Sequence, residues 1–194
     1  KKHGSIENEA LLLRDIKKFF GQSIKKRSGE MESHELPDLK TLLTPERVIF
    51  KSKVLTVEEA VRSAAAPLIE ANAIEPRYVD AILKIMGENE PYMFIAPGIA
   101  IPHARPEDGV KLMGMSMMRL DEAVDIAPGF SVKVFIVLAA VDRKQHLKAL
   151  AQLNELVAQE ENVKQLEDAR SRNEIIRLVE KYSVDEDFKE VVEN

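Results

Sequence analysis

The spacing of apolar residues changes several times along this chain, and each change marks a boundary between elements. From Ile6 to about Ile24, Leu12, Ile16, Phe19 and Phe20 recur three and four positions apart, which predicts an amphipathic helix that Gly21 interrupts near its end. The polar stretch Lys25–Lys26–Arg27–Ser28–Gly29–Glu30 reads as a solvated linker, and Pro37 closes the region. A boundary near residue 36 follows, with an N-terminal helix and linker over 1–36 and the main domain over 37–194. An isolated helix of that length is marginal in water. Its apolar stripe therefore needs cover from the main domain, from a second copy in a homodimer, or from a preceding module.

In the main domain the pattern alternates between helix and strand. Leu39 to Leu43 predicts a short helical turn, and Val48–Ile49–Phe50 a strand. Thr56, with Glu59 three residues on, has the form of a capping box ahead of a helix through Ala60, Val61, Ala64 and Leu68, which Pro67 is expected to kink or end. A second helix starts at Pro76, carries Tyr78, Val79, Ile82, Leu83 and Met86 on one stripe, and stops at Gly87. Met93–Phe94–Ile95 and Ile99–Ala100–Ile101, separated by Pro97–Gly98, predict strand, turn, strand; Leu112 to Leu120 predicts another strand. The near-continuous apolar run Val132 to Ala140 predicts a central strand buried on both faces. Asp142 and Gln145 then have capping-box spacing before a helix bearing Leu147, Leu150, Leu153, Leu156 and Val157, with two shorter helices near 163–170 and 173–181. The order predicts an α/β fold: a mixed β-sheet flanked by helices, with an N-terminal helical appendage.

Composition narrows the function classes. Of 194 residues, 45% are hydrophobic, enough for a core, and 31% are charged with a formal net charge of −5. That balance implies no basic face and argues against direct nucleic-acid binding. The absence of cysteine excludes disulfides, thiol catalysis and cysteine metal sites, and fits a reducing compartment. The longest apolar stretch, Val132 to Val141, is interrupted by Lys133 and falls short of the about 20 residues that span a bilayer. With no signal-peptide pattern, no membrane insertion and a cytoplasmic location are expected. The chain opens on Lys1 rather than Met, as a piece of a longer protein would.

Two of the four histidines stand apart from His3 and His34. Pro102 holds Ile101 extended, Pro106 stiffens the far side, and His103 lies between them with Arg105 two residues on. A neutral imidazole on a stiff backbone can attack phosphorus, and a guanidinium can hold the phosphate oxygens by two parallel donors. On spacing alone, a surface loop histidine beside an incidental arginine remains the alternative. His146 falls four residues after Asp142, in the expected first turn of its helix, where the dipole keeps an imidazole neutral and able to donate to a phosphate. The alternative there is a half-exposed helix residue capping its own turn. Both histidines follow strand-like runs, so neighbouring strands would bring both to one pocket. A metal site with Glu107 or Asp142 would want three or four converging ligands; only two histidines are at hand and Arg105 would repel a cation, so neither metal nor cofactor is expected.

These motifs resemble a known family. Tyr92 to Val110, with Ile99–Ala100–Ile101–Pro102–His103–Ala104–Arg105 at its centre, is similar to the active-site signature of enzyme IIA domains of the mannitol/fructose/ascorbate class in the sugar phosphotransferase system. Leu138 to Leu147, then Leu150 and Leu153, resembles the second active-site histidine of that class and its helix; Glu58–Val61 and Tyr78–Ile82 resemble its early helices. The likeness covers roughly residues 38–183. It implies a phosphotransferase with a phosphohistidine intermediate. His103 would accept the phosphoryl group from the histidine-containing phosphocarrier protein and pass it to a cysteine or histidine of a IIB domain. His146 would shape the pocket and bond the phosphate. The family's mannitol branch carries an arginine near the end of the preceding helix, which Lys84–Ile85–Met86–Gly87–Glu88–Asn89 lacks, so Arg105 would take over that contact. The Pro-His-Ala-Arg-Pro-Glu version resembles the ascorbate branch and also the IIA modules of antiterminator-type transcriptional regulators. A regulatory module, whose phosphorylation state sets the activity of a transcription factor, is therefore the alternative to a transport relay.

Overall fold

The computed structural model describes residues 36–88 and 93–184; the expected N-terminal helix, its linker, His3 and His34 lie outside them. In chain order the elements are α1 (Leu39–Leu42), β1 (Val48–Lys51), α2 (Val57–Glu70), α3 (Pro76–Glu88), β2 (Phe94–Ala96), β3 (Gly98–Ala100), β4 (Gly114–Ala127), β5 (Phe130–Ala139), α4 (Leu147–Val157), α5 (Glu160–Asp168) and α6 (Arg172–Tyr182). The strands form one five-stranded mixed sheet in the order β1-β4-β5-β3-β2. β4 and β5 make an antiparallel hairpin through Pro128–Gly129, and β5 runs parallel to β3.

The expected central strand is central. Alternation along β5 sends Val134, Ile136 and Leu138 into a core with Leu39, Ala149, Leu153, Leu166 and Ile175. Phe135, Val137 and Ala139 go to the other core with Ala60, Ala64, Leu68, Tyr78 and Ile82. Thus α2 and α3 cover one face, and α1, α4, α5 and α6 the other. Fully burying a side chain such as Phe135 or Ile136 contributes about 1.5–3 kcal/mol. β5 is therefore a rigid base for whatever leaves its end.

Local chemistry explains most boundaries. Thr56 Oγ1 accepts from Glu59 N at 3.1 Å, while the Glu59 carboxylate accepts from Leu55 N at 2.9 Å, one residue outside a standard capping box. Ser171 and Glu174 repeat the device ahead of α6, with Arg170 N as the outer donor. Three sequence expectations change. Pro67 does not end α2, which continues to Glu70 with Ala71 N bonded to Pro67 O at 3.1 Å; the ring is buried beside Ala64 and Leu68, and that packing offsets the lost N–H bond. β4 runs seven residues past Leu120, and within that largely exposed stretch Val124 to Ala127 pair with the start of β5. Asp142 caps its own turn and not a helix; α4 begins at Leu147.

Candidate functional site

β3 and β5 are parallel neighbours, with Ala100 opposite Phe135, so both chains leave the sheet at the same end. His103 follows one strand and His146 the other. The sequence expected the two runs to be neighbours in a sheet, and they are.

The His103 segment is held residue by residue. Ile101 N donates to Met93 O at 2.7 Å, and Leu138 N donates to Pro102 O at 3.2 Å. Ala104 N donates to the Tyr78 hydroxyl at 3.1 Å. Arg105 N donates to Asp108 Oδ2 at 3.1 Å, at the start of a 3-10 turn over Pro106–Asp108. Gly109 closes that turn with a φ of +132°, between Arg77, Glu75 and Tyr78. The His103 ring is half-buried, and Nδ1 lies 2.9 Å from Ile101 O. A carbonyl only accepts, so Nδ1 carries the hydrogen and Nε2 holds the lone pair in the neutral ring.

His146 sits at the N-cap of α4, where the sequence expected the first turn. Its Nδ1 is buried with no hydrogen-bond partner among the described residues. Burial holds its pKa below the ordinary histidine value; Asp142, through its backbone and its charge, pulls upward, and the charge of His103 pushes further down. At neutral pH His146 is an uncharged imidazole.

Two backbone N–H groups of the turn before α4 are taken by Asp142. Asp142 Oδ1 accepts from Lys144 N at 2.7 Å and Gln145 N at 2.8 Å, and Gln145 Nε2 bonds the other oxygen at 2.7 Å. Those two backbone donors hold the Asp142 carboxyl below the usual carboxylate range. Arg105 is exposed, and among the described residues no carboxylate or carbonyl engages its guanidinium, so it can turn toward an anion near His103. No group of three or more histidine, aspartate or glutamate side chains among the described residues could hold a metal ion. No helix there is long and apolar enough to cross a membrane.

The sequence reading missed Tyr78, which looked like one more member of an apolar stripe. It is fully buried, and its hydroxyl contacts Leu138 O at 2.6 Å as well as Ala104 N. A buried tyrosine hydroxyl needs partners, and that requirement was the available signal.

Residues 41–182 match the model of the family described as phosphoenolpyruvate-dependent sugar phosphotransferase system, EIIA 2. The ascorbate-specific PTS system EIIA component of Escherichia coli strain K12 is 35% identical over 135 residues, covering 68% of this chain and 88% of the relative. Its Salmonella typhimurium counterpart is 36% identical with the same coverage. Among solved structures, the mannitol-specific cryptic phosphotransferase enzyme IIA CmtB from Escherichia coli superposes with a TM-score of 0.68 at 29% identity, covering 75% of this chain and 99% of the other.

Proposed function

The chain belongs to the EIIA 2 family of the phosphoenolpyruvate-dependent sugar phosphotransferase system, and from that premise we propose that His103 is its phosphoryl acceptor, with His146 and Arg105 stabilising the phosphoryl group. As a member of that family it is a phosphotransferase that works through a phosphohistidine and relays the group to a IIB domain. The observation that carries the assignment is the bond from His103 Nδ1 to Ile101 O. It leaves the Nε2 lone pair to form the new N–P bond as the bond to the donor's leaving nitrogen breaks. The ring then bears a positive charge, which the Ile101 carbonyl supports through Nδ1–H. Departure to the IIB acceptor reverses the step and returns the neutral imidazole.

In this reading the donor is the histidine-containing phosphocarrier protein and the setting is the cytoplasm. His146 stays neutral by burial, so it can donate to a phosphoryl oxygen without the repulsion that a second cation would bring to the incoming phosphorylated ring. Arg105 supplies the fixed positive charge. The chemistry is confined to the phosphoryl group, so selection of the sugar falls to downstream partners. The test is labelling from phosphoenolpyruvate through the kinase and phosphocarrier protein. The parent should acquire acid-labile phosphate and folded His103→Ala should acquire none; equal labelling would refute the assignment.

A further inference from the structure

The first turn of α3 grips the loop that follows β3 at three places. Glu75 N donates to Gly109 O at 2.8 Å and Arg77 Nη1 to Glu107 O at 3.0 Å. Tyr78 reaches deepest. Its hydroxyl oxygen lies 2.6 Å from Leu138 O, 3.1 Å from Ala104 N and 3.3 Å from Ala104 O. A phenol has one proton and carbonyls only accept. The short contact takes that proton to Leu138 O, and the hydroxyl oxygen accepts from Ala104 N.

His103 is thereby bracketed. On its N-terminal side Pro102 O is tied to Leu138 N at 3.2 Å. On its C-terminal side Ala104 N is tied, through the Tyr78 hydroxyl, to Leu138 O. Both ties end on one residue of β5, two positions from the loop that leads to His146. The imidazole bonds back to Ile101 O, so its direction is set by this short piece of backbone. We infer that Tyr78 is a positioning residue for phosphoryl transfer: its hydroxyl locks the backbone after His103 to the end of β5 and so aims Nε2. This rests on the reading of His103 as acceptor. Tyr78 keeps its proton throughout and touches no reacting atom. Removing its hydroxyl frees the C-terminal tie while Pro102 stays held, so the ring swings about one fixed end.

A misplacement of about an ångström caused away from the reacting atoms can slow a reaction about 100-fold. The experiment is single-turnover transfer from the phosphorylated carrier protein to the parent, Tyr78→Phe, Val79→Ala and His103→Ala, with folding followed by circular dichroism. Tyr78→Phe should lower the limiting rate about 10- to 100-fold, with the half-saturating carrier concentration unchanged within about twofold. Val79 is buried on the same helix; Val79→Ala should lose stability and keep the parent rate, which separates aim from general loosening. A parent-like limiting rate in Tyr78→Phe, with His103→Ala silent, overturns the inference alone. Labelling of His103→Ala at the parent rate removes the acceptor assignment instead. Amide exchange in the parent adds an arm independent of any variant. The Ala104 amide should be protected like that of Leu138, and exchange at the rate of an unprotected surface amide would overturn the tie.

Discussion

A phosphoryl group on His103 would bring about two negative charges into a site where Asp142 already occupies two of the N–H groups at the turn before α4. Those two donors are closed to an oxyanion, and stabilisation of the new charge falls first to Arg105 and His146. Arg105→Ala should slow single-turnover transfer about 10- to 1000-fold, the range for losing one charge-stabilising donor. Arg105→Lys should recover part of that, keeping charge and losing the two-pronged geometry; a rate for Arg105→Ala within about twofold of the parent would show a side chain facing solvent only. His146 makes a separate prediction through its lowered pKa. The folded state binds its proton less readily than the unfolded chain, whose value is about 6.5. The stability that His146 contributes as a neutral ring is therefore intact above about pH 6.5 and is lost as pH falls below it toward the folded value. Denaturant unfolding at about pH 7.5 and about 5.5 should show a larger loss in the parent than in His146→Gln. Phosphorylation should move the His146 pKa upward, because a nearby dianion favours the imidazolium; an unchanged titration curve by NMR would separate His146 from the phosphate.

Secondary structure places these residues, and one glycine shows how narrowly. Gly98 opens β3 at a φ of +77°, and a Cβ there would lie 2.0 Å from the Glu167 carboxylate oxygen. The glutamate can swing away, but the left-handed backbone still costs an L-residue about 1–2 kcal/mol. Gly98→Ala should lower the thermal midpoint by a few degrees, about 2–4 °C per kcal/mol for a chain of this size; no change would mean that the turn relaxes freely. The Pro97–Gly98 punctuation made this turn legible in the sequence. The strong periodicity of α2, α3 and α4 and the near-continuous apolar run of β5 were legible as well. The far half of β4 was not legible, because Asp121, Glu122 and Asp125 face solvent and break the apolar pattern of the strand. Asp142 misled for a related reason. Its spacing to Gln145 fits a helix cap, yet the same bonds close an isolated turn, and only the backbone beyond it decides which.

At the scale of the molecule, the two histidines were legible as residues following apolar runs, His103 on a stiff loop and His146 in an expected first helical turn. That the runs are adjacent parallel strands was not, since strand order is decided by pairing between segments far apart in sequence. Tyr78 escaped for the same reason: its partners Ala104 and Leu138 are 26 and 60 residues away. The boundary near residue 36 also yields a prediction. The described body closes on itself, with Lys40 N bonded to Ser183 Oγ at 3.1 Å and Leu39 N to Gln152 Oε1 at 2.8 Å. Deleting residues 1–36 should leave a cooperatively folding, phosphorylatable domain; loss of cooperative unfolding would show that the N-terminal segment is integral to it. What all of these expectations share is one nitrogen atom. Its most direct test is the nitrogen-15 NMR spectrum of the full chain after phosphorylation from the carrier protein. The expected result is a single phosphohistidine, on Nε2 of His103, with Nδ1 still protonated against Ile101. A phosphoryl group on His146, or on Nδ1 of His103, would contradict it.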